Sequence, residues 1–318
     1  MSSQAPVVSV LMTAFNRDRY IAAAIESVLT QTFTDFELVV VDDCSRDSSV
    51  AVARRYESDP RVRVVVNERN RGDYPNRNHA VGFARGRYFK FHDSDDVMYA
   101  HCLEVMLRAL EAIPEAGLAL SAHQAWSGAP CPIVSTPRLS YRREFLGFGM
   151  FSQGPSNALF RTDVFRALGG FPEVGPHSDL AFWLRVCRTT TVALVPADLY
   201  WYRVHGGQHL QTTESAFDLA RAATFSWEAL NHPQCPLLPE EREVAKRNYA
   251  YGYAKGLVRA LMRARVSLAV FRIRHSPLGV IDWLRYLRPP KRSADAGVPM
   301  AADPAQKIGV LTREAQPH

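Results

Sequence analysis

Three carboxylates crowd four positions in Asp93-Ser94-Asp95-Asp96, directly after the run Tyr88-Phe89-Lys90-Phe91-His92. Carboxylates packed this closely repel one another unless a cation sits among them. Oxygen-only ligands suit a hard divalent ion, Mg²⁺ or Mn²⁺, which commonly bridges a few carboxylates to a substrate's phosphates. The same residues would also make an acidic turn that caps the next helix. Taken alone, the cluster supports both readings equally. Two other polar clusters, Thr13-Ala14-Phe15-Asn16 and Asp42-Asp43-Cys44-Ser45, share its setting, each following a short apolar run.

The elements that would carry these clusters follow from the apolar pattern. Strands are expected over Val7–Met12, Phe36–Val41, Val62–Val66 and Tyr88–His92. Between them lie a helix from Arg19 to Gln31 capped by Asp18, a helix starting at Asp47 or Ser48, and a short helix from Arg77 to Ala84 after a polar loop, Asn67–Asn76. Alternating strands and helices imply an α/β fold with a parallel sheet. Ligands in such sheets bind outside the C-terminal ends of the strands, which is where all three clusters fall. If they hold a nucleoside diphosphate, Asp43 can accept hydrogen bonds from a base or ribose, Phe15 can stack on a base, and Thr13 offers a hydroxyl. Arg77, near a helix N-terminus, can neutralise phosphate. Each has a plainer alternative: a helix cap for Asp42 or Asp43, core for Phe15, a solvated charge for Arg77.

Farther along, a helix over Ala100–Ala112 and a strand near Leu118–Ser121 are expected. Ser127–Ser140 reads as loop, Asn157–Arg161 as a strand, Asp163–Leu168 as a helix, and Gly169-Gly170-Phe171-Pro172 as a turn. A helix over Asp179–Arg188, strands at Thr191–Val195 and Leu199–Arg203, and helices over Ser215–Leu230, Pro239–Arg265 and Leu278–Leu287 complete the pattern. The tail from Pro289, rich in Ala, Pro and charge, is expected to be disordered.

The bulk numbers exclude several classes. The 318 residues are 47% hydrophobic and 22% charged, the balance of a folded soluble chain. No apolar run approaches the ~20 residues of a membrane span, and the start of the chain lacks the features of a secretory signal. Five scattered cysteines offer neither zinc spacing nor a disulfide framework. No Gly-rich dinucleotide fingerprint, P-loop or nucleophile elbow is present, which argues against hydride transfer, a P-loop ATPase and an α/β-hydrolase. Charge is uneven: Lys246–Arg292 carries twelve Lys or Arg against one acid, Asp282, a net +11, so the rest of a chain at +6 carries −5. A basic C-terminal region on a near-neutral body suggests an anionic neighbour. It carries no recognisable nucleic-acid module, and no nucleic acid is expected.

The ordered series of motifs resembles the family 2 nucleotide-sugar glycosyltransferases of GT-A fold. The residues that carry it are Val8-Ser-Val-Leu-Met-Thr-Ala-Phe-Asn16, Ser27-Val-Leu-Thr-Gln-Thr-Phe33 and Glu37-Leu-Val-Val-Val-Asp-Asp-Cys-Ser45. Asn76-Arg-Asn-His-Ala-Val-Gly82, Gly86-Arg-Tyr88 and the Asp93–Asp96 run follow, then Gly169-Gly-Phe-Pro172, Ser178-Asp-Leu-Ala-Phe-Trp-Leu-Arg185 and Tyr202-Arg-Val-His205. The series spans roughly residues 7–210; each motif is weak alone and the ordered set is specific.

The resemblance implies a Rossmann-like, mostly parallel central sheet flanked by helices, with a helical C-terminal extension. It divides the chain into a catalytic domain over 1–210 (nucleotide half about 7–122, acceptor half about 123–210), an extension over 211–288 and a tail over 289–318. It implies an inverting transfer from a nucleotide sugar to an acceptor hydroxyl, with UDP the first expected carrier and dTDP and GDP open. Thr13, Phe15, Asp43, Arg77, Asp93 and Asp95 would bind nucleotide; Asp95, Asp96 and His205 would hold Mn²⁺ or Mg²⁺; Asp179 would be the catalytic base. The acceptor, a glycan or lipid-linked hydroxyl, would be read by Gly154-Pro-Ser-Asn157 and Glu173–His177. The sequence departs from the family at Cys44, where Gly or Asn is usual, and at Ser178, where an acid often precedes the base. A cytoplasmic protein, peripheral on the inner face of a membrane through its basic helices, is expected. A non-catalytic nucleotide-sugar-binding subunit is the alternative, and loss of Asp179 or the Asp cluster would have favoured it.

Overall fold

The β-branched runs at the start of the chain are buried on both faces, as a sheet sandwiched between helical layers requires. The computed structural model describes residues 5–122, 131–147, 149–205 and 215–286. β1 (Val8–Ala14) leads to α1 (Ile21–Leu29), β2 (Phe36–Asp42) to α2 (Ser49–Arg54), and β3 (Val62–Val66) to α3 (Asp73–Val81). β4 (Tyr88–Asp93), the short β5 (Val97–Met98), α4 (Cys102–Ala112) and β6 (Ala116–Ser121) follow. Then come β7 (Ile133–Ser135), α5 (Pro137–Phe145), β8 (Ala158–Arg161), α6 (Thr162–Ala167), α7 (Ser178–Val186), β9 (Thr191–Val195) and β10 (Tyr200–Trp201). The chain continues through α8 (Ser215–Asn231), α9 (Pro239–Met262), α10 (Val266–Arg274) and α11 (Val280–Tyr286).

Eight strands form one sheet in the order β3-β2-β1-β4-β8-β6-β9-β7. β3, β2, β1 and β4 are mutually parallel, as are β6 and β9; β8 and β7 run antiparallel to their neighbours. The sheet is thus mixed, not purely parallel. Alternation along the strands assigns Leu11, Val39, Val41, Phe89 and Phe91 to one core and Val8, Val10, Met12, Leu38 and Val40 to the other. The first core is aromatic: Phe160 stacks on Phe89 at 5.1 Å and on Trp183 at 5.8 Å between centroids. Trp183 and Phe182 bring α7, the helix that starts with Ser178-Asp179, onto the sheet.

Several expected boundaries move. α3 begins at Asp73, not Arg77, because Pro75 sits in the first turn, where its missing N–H costs nothing. Asp18 does not cap α1, whose N-cap is Tyr20 without a side-chain bond; its own N–H donates instead to Asp47. The Pro- and Ser-rich stretch is only partly loop. Residues 123–130 lie outside the described residues, but β7 pairs with β9, and Thr136 followed by Pro137 starts α5. The long helix expected to Arg265 ends at Met262, and the turn through Ala264, at φ 51°, opens the separate α10. The extension shares the main core: Ala229, Leu230, Leu237 and Ala245 pack in the aromatic cluster, and Glu241 pairs with Arg138 at 2.8 Å. The tail from Pro289 lies outside the described residues.

Candidate active site

Register sets the strand ends level. Thr13 lies opposite Asp93 on β4 and Val41 on β2, and Asp42 opposite Ala14 and Val66. The loops leaving β1 and β2 are stapled together. The Asn16 N–H donates to Ser45 Oγ at 2.8 Å, the Arg46 N–H to Asn16 Oδ1 at 2.9 Å, and the Arg17 N–H to Ser49 Oγ at 2.7 Å. Phe15 is 42% exposed between these anchors. A rigid, exposed ring at a strand end is available for stacking, so the core alternative for Phe15 is set aside.

Asp42 and Asp43 are buried and do different work. Asp42 accepts both the N–H and the hydroxyl of Ser45, shaping the turn rather than capping α2. Asp43 accepts from Asn67 Nδ2 at 2.8 Å, from the Arg71 N–H at 2.8 Å and from the Gly72 N–H at 2.9 Å. Its carboxylate therefore templates the polar loop before α3, and any base or ribose contact would share it with these donors. Cys44, directly after Asp43, has φ 65°. That is the left-handed region, which Gly and Asn tolerate and which costs other residues roughly 1–2 kcal/mol; it accounts for the Gly or Asn usual in the family, and the Cys here carries that cost. Cys44→Gly should stabilise the fold by about 0.5–1 kcal/mol after the extra unfolded-state entropy of glycine. Cys44→Val should destabilise it, and urea unfolding of the three proteins measures both.

Arg77 is buried on α3 and holds two acids together: Nε donates to Asp73 at 2.8 Å and Nη2 to Asp93 Oδ1 at 2.5 Å. Its Nη1 is buried without a partner. Asp93 also accepts from Ser156 Oγ at 2.8 Å. Burial works against the charged form of Asp93, but the Arg77 charge and the hydrogen bonds from Arg77 and Ser156 outweigh it and hold the carboxyl below its ordinary range. Behind it, the fully buried Lys90 donates to the Ser156 carbonyl, and burial lowers its pKa. His92, also buried, is pushed down to about 3 by burial and the Lys90 charge.

Asp95 and Asp96 differ sharply. Asp95 Oδ2 accepts from Arg17 Nε at 2.9 Å and lies 3.0 Å from His205 Nε2, whose ring packs on Tyr20. Asp96 is 1% exposed; its Oδ1 accepts from the Arg203 N–H at 3.0 Å, whereas its Oδ2 is buried with no hydrogen-bond partner. Burial, with Asp93 and Asp95 nearby, raises the Asp96 pKa to about 8. Among the described residues no three His, Cys, Asp or Glu side chains are arranged as a metal cluster. A small divalent ion of the Mg²⁺ type does not need one, since it takes one or two carboxylates and completes its shell with phosphates and water. An orphaned, buried carboxylate oxygen beside a second carboxylate fits that kind of ion.

Asp179 lies in the first turn of α7. It accepts from the Leu180 N–H at 2.7 Å; the Tyr74 hydroxyl, which donates to the nearby Pro176 carbonyl at 3.5 Å, and the Arg77 charge favour its ionised form. Burial raises its pKa despite these partners. Its position depends on the Gly-Gly-Phe-Pro turn. Asn78 of α3 accepts the Phe171 N–H at 2.8 Å and donates to the Phe171 carbonyl at 2.9 Å. Gly170, at φ 73°, leaves room for Asn78, whose Oδ1 would lie 2.5 Å from an added Cβ. α3 therefore carries both the arginine that holds Asp93 and the asparagine that anchors the approach to Asp179. Arg17, Tyr74, Lys90, Ser156 and Arg203 were not singled out from the sequence. Arg203 and Ser156 lay within quoted segments and Lys90 in the run before the Asp cluster, but no role was read for them, and nothing in residue spacing marked Arg17 or Tyr74.

With this geometry in place, comparison with known proteins identifies the framework. The model of glycosyl transferase family 2 matches residues 9–169. The chain belongs to glycosyl transferase family 2. The Escherichia coli UDP-Glc:alpha-D-GlcNAc-diphosphoundecaprenol beta-1,3-glucosyltransferase WfgD is 39% identical over 101 residues, 32% of this chain and 40% of that protein. The chain matches less than half the length of such curated relatives. Staphylococcus aureus TarS in complex with UDP-GlcNAc superposes at TM-score 0.58 with 23% identity, covering 76% of this chain and 70% of that one. The Pyrobaculum calidifontis mannosyltransferase PcManGT in complex with GDP-Man and Mn²⁺ gives 0.55 with 20% identity, covering 86% and 87%. These likenesses establish the GT-A architecture of this family 2 chain.

Proposed function

We propose that this family 2 protein is an inverting glycosyltransferase that moves a sugar from a nucleoside diphosphate sugar, UDP-linked in the first instance, to an acceptor hydroxyl. The observation that carries the reading is the position of Arg77. It is bonded to Asp93 of the strand-end cluster, and its neighbour Asn78 on α3 anchors the turn that leads to Asp179, so one helix ties the donor-side acids to the candidate base. Donor-bound structures of the same fold, with UDP-GlcNAc in TarS and with GDP-Man and Mn²⁺ in PcManGT, support it.

Thr13, Phe15 and Asp43 would meet the nucleoside, and Asp93 and Asp95 the ribose and diphosphate side. Arg77, with only Nη1 uncommitted, would act on phosphate mainly through its charge. Asp95, Asp96 and His205 would hold Mn²⁺ or Mg²⁺, which when bound supplies positive charge for the departing diphosphate. Asp179 would take the proton from the acceptor hydroxyl as that oxygen bonds to the anomeric carbon and the sugar–phosphate bond breaks with its electron pair on the diphosphate. One base suffices, because a single displacement needs no second carboxylate nucleophile.

The acceptor would be a glycan or lipid-linked hydroxyl, as in cell-envelope polysaccharide synthesis; the WfgD name, a transfer to a diphosphoundecaprenol-linked sugar, supports this. The catalytic domain would comprise residues 1–210 with the helices to 288 as its extension, and the protein would work in the cytoplasm against the inner face of a membrane. Among the described residues no helix is long and apolar enough to cross one. Calorimetry tests the donor side: UDP should bind measurably tighter with Mn²⁺ than with chelator, and more tightly than GDP or dTDP. Equal binding of all three nucleotides with and without metal would sink the assignment.

A further inference from the structure

Two apolar stripes face solvent where α9 meets α10. Val258, Leu261 and Met262 at the end of α9 are 53%, 54% and 83% exposed; Val266, Val270 and Ile273 of α10 are 63%, 41% and 59% exposed. Both sets follow helical spacing, so each forms a stripe on its own helix. Neither stripe is used to join the helices. Ala260 packs on Leu268 and Ala269, the Tyr253 hydroxyl donates to the Arg272 carbonyl at 2.7 Å, and the Arg272 guanidinium lies over Gly256. The hairpin closes mainly on small residues and turns larger aliphatic ones outward.

The same stretch is basic without exception. From Lys255 to Arg274 there are six Lys or Arg and no Asp or Glu, and Lys255, Arg259, Arg263, Arg265 and Arg274 are exposed. Leu257 is half-buried and Leu268 buried in the seam between the two helices. The outward face is therefore made by Val258, Leu261 and Met262 together with the α10 stripe, and exposed cations occupy neighbouring positions.

We infer that the α9–α10 hairpin is a monotopic docking surface for an anionic lipid bilayer. Its cations meet the headgroups, while Met262, Leu261, Val266 and Ile273 enter the boundary with the acyl chains. Charge selects this occupant. A second copy of the chain would set two acid-free cationic faces against each other. Nucleic acid, which favours polar and cationic surfaces, would leave the aliphatic stripes unused. The inference deepens the peripheral part of the proposed function and is independent of the transferase part, since attachment is measured without turnover.

The test is co-sedimentation of the full chain with vesicles of phosphatidylcholine alone and with added phosphatidylglycerol, at low and high salt. The protein should prefer anionic vesicles, and salt should weaken the binding without abolishing it. Arg259→Gln/Arg263→Gln/Arg274→Gln should lose on the order of 10²-fold in affinity, roughly fivefold for each cation near the surface. Met262→Gln/Val266→Gln/Ile273→Gln should lose the salt-resistant part. All six positions are exposed and outside the active site, so UDP binding should be unchanged in both variants. Variants that bind like the parent would place attachment on another surface. Equal binding to neutral and anionic vesicles would overturn the anionic selectivity, and no binding to either while UDP still binds would remove the bilayer as the occupant; both leave the transferase reading intact. A concentration-dependent dimer in lipid-free solution, abolished by the apolar variant, would make the face a self-association surface instead.

Discussion

Asp179→Asn should lower turnover by roughly 10²–10⁴-fold, the usual contribution of a general base, while nucleotide affinity stays near that of the parent. The amide is nearly isosteric and still accepts the Leu180 N–H at the start of α7, so the helix and its packing through Trp183 should persist. What is lost is the proton acceptor. The pH profile gives a second measure. Burial raises the Asp179 pKa above its ordinary 3.8, and only the ionised form can act as base. Turnover at saturating donor should therefore fall as pH drops through a pKa above the usual carboxylate range. Tyr74→Phe removes a polar hydroxyl that favours the ionised form, so this acid limb should move to higher pH. In Asp179→Asn the limb should vanish. Near-native turnover in Asp179→Asn, or an acid limb that persists in that variant, would take Asp179 out of the base role.

How far the site was legible in the sequence depends on the range of the interactions involved. The β-branched runs that make β1 to β4 are local signals, and the polar clusters at their C-terminal ends could be read directly. The boundary of α3 was less legible because Pro75, a loop signal in isolation, is also acceptable in a first helical turn. β7 and β8 were invisible as antiparallel partners, since strand direction is fixed by pairing with residues tens of positions away. The same holds for the cations: Arg17 reaches Asp95 across 78 positions and Lys90 reaches Ser156 across 66. Lys90 sits between two phenylalanines in a strand, where alternation gives no warning that an ammonium will be buried. Asp43 was read as a ligand for nucleotide, and only the folded loop reveals that it already accepts three donors. The concentration of cations over Lys246–Arg292 did show a basic region, but not which aliphatic side chains the hairpin would leave outside.

Asp96→Asn should separate stability from function. In the metal-free protein Asp96 is a buried carboxyl with one oxygen satisfied by Arg203 and the other unpaired. Its pKa of about 8 in the fold, against an ordinary 3.8 in the unfolded chain, fixes the sign of the effect. Below pH 4 the group is neutral in both states and its ionisation does not penalise the fold. As pH rises from about 4 to about 8 the unfolded chain gains the ionised form while the fold resists it, and stability is lost progressively. An amide cannot ionise. In chelator, Asp96→Asn should therefore unfold at a higher temperature than the parent, by a margin that widens between pH 5 and pH 8. Adding Mn²⁺ and UDP should reverse the order, because the ligands bind the folded parent and raise its melting temperature, while the amide is a poor ligand for a hard cation. Thermal unfolding of both proteins at several pH values, with and without Mn²⁺ and UDP, reads both halves. A variant that is less stable than the parent in chelator across this range would mean that Asp96 serves the fold. A variant stabilised by Mn²⁺ and UDP as much as the parent would remove Asp96 from the metal site and leave its unpaired oxygen to be explained by structure alone.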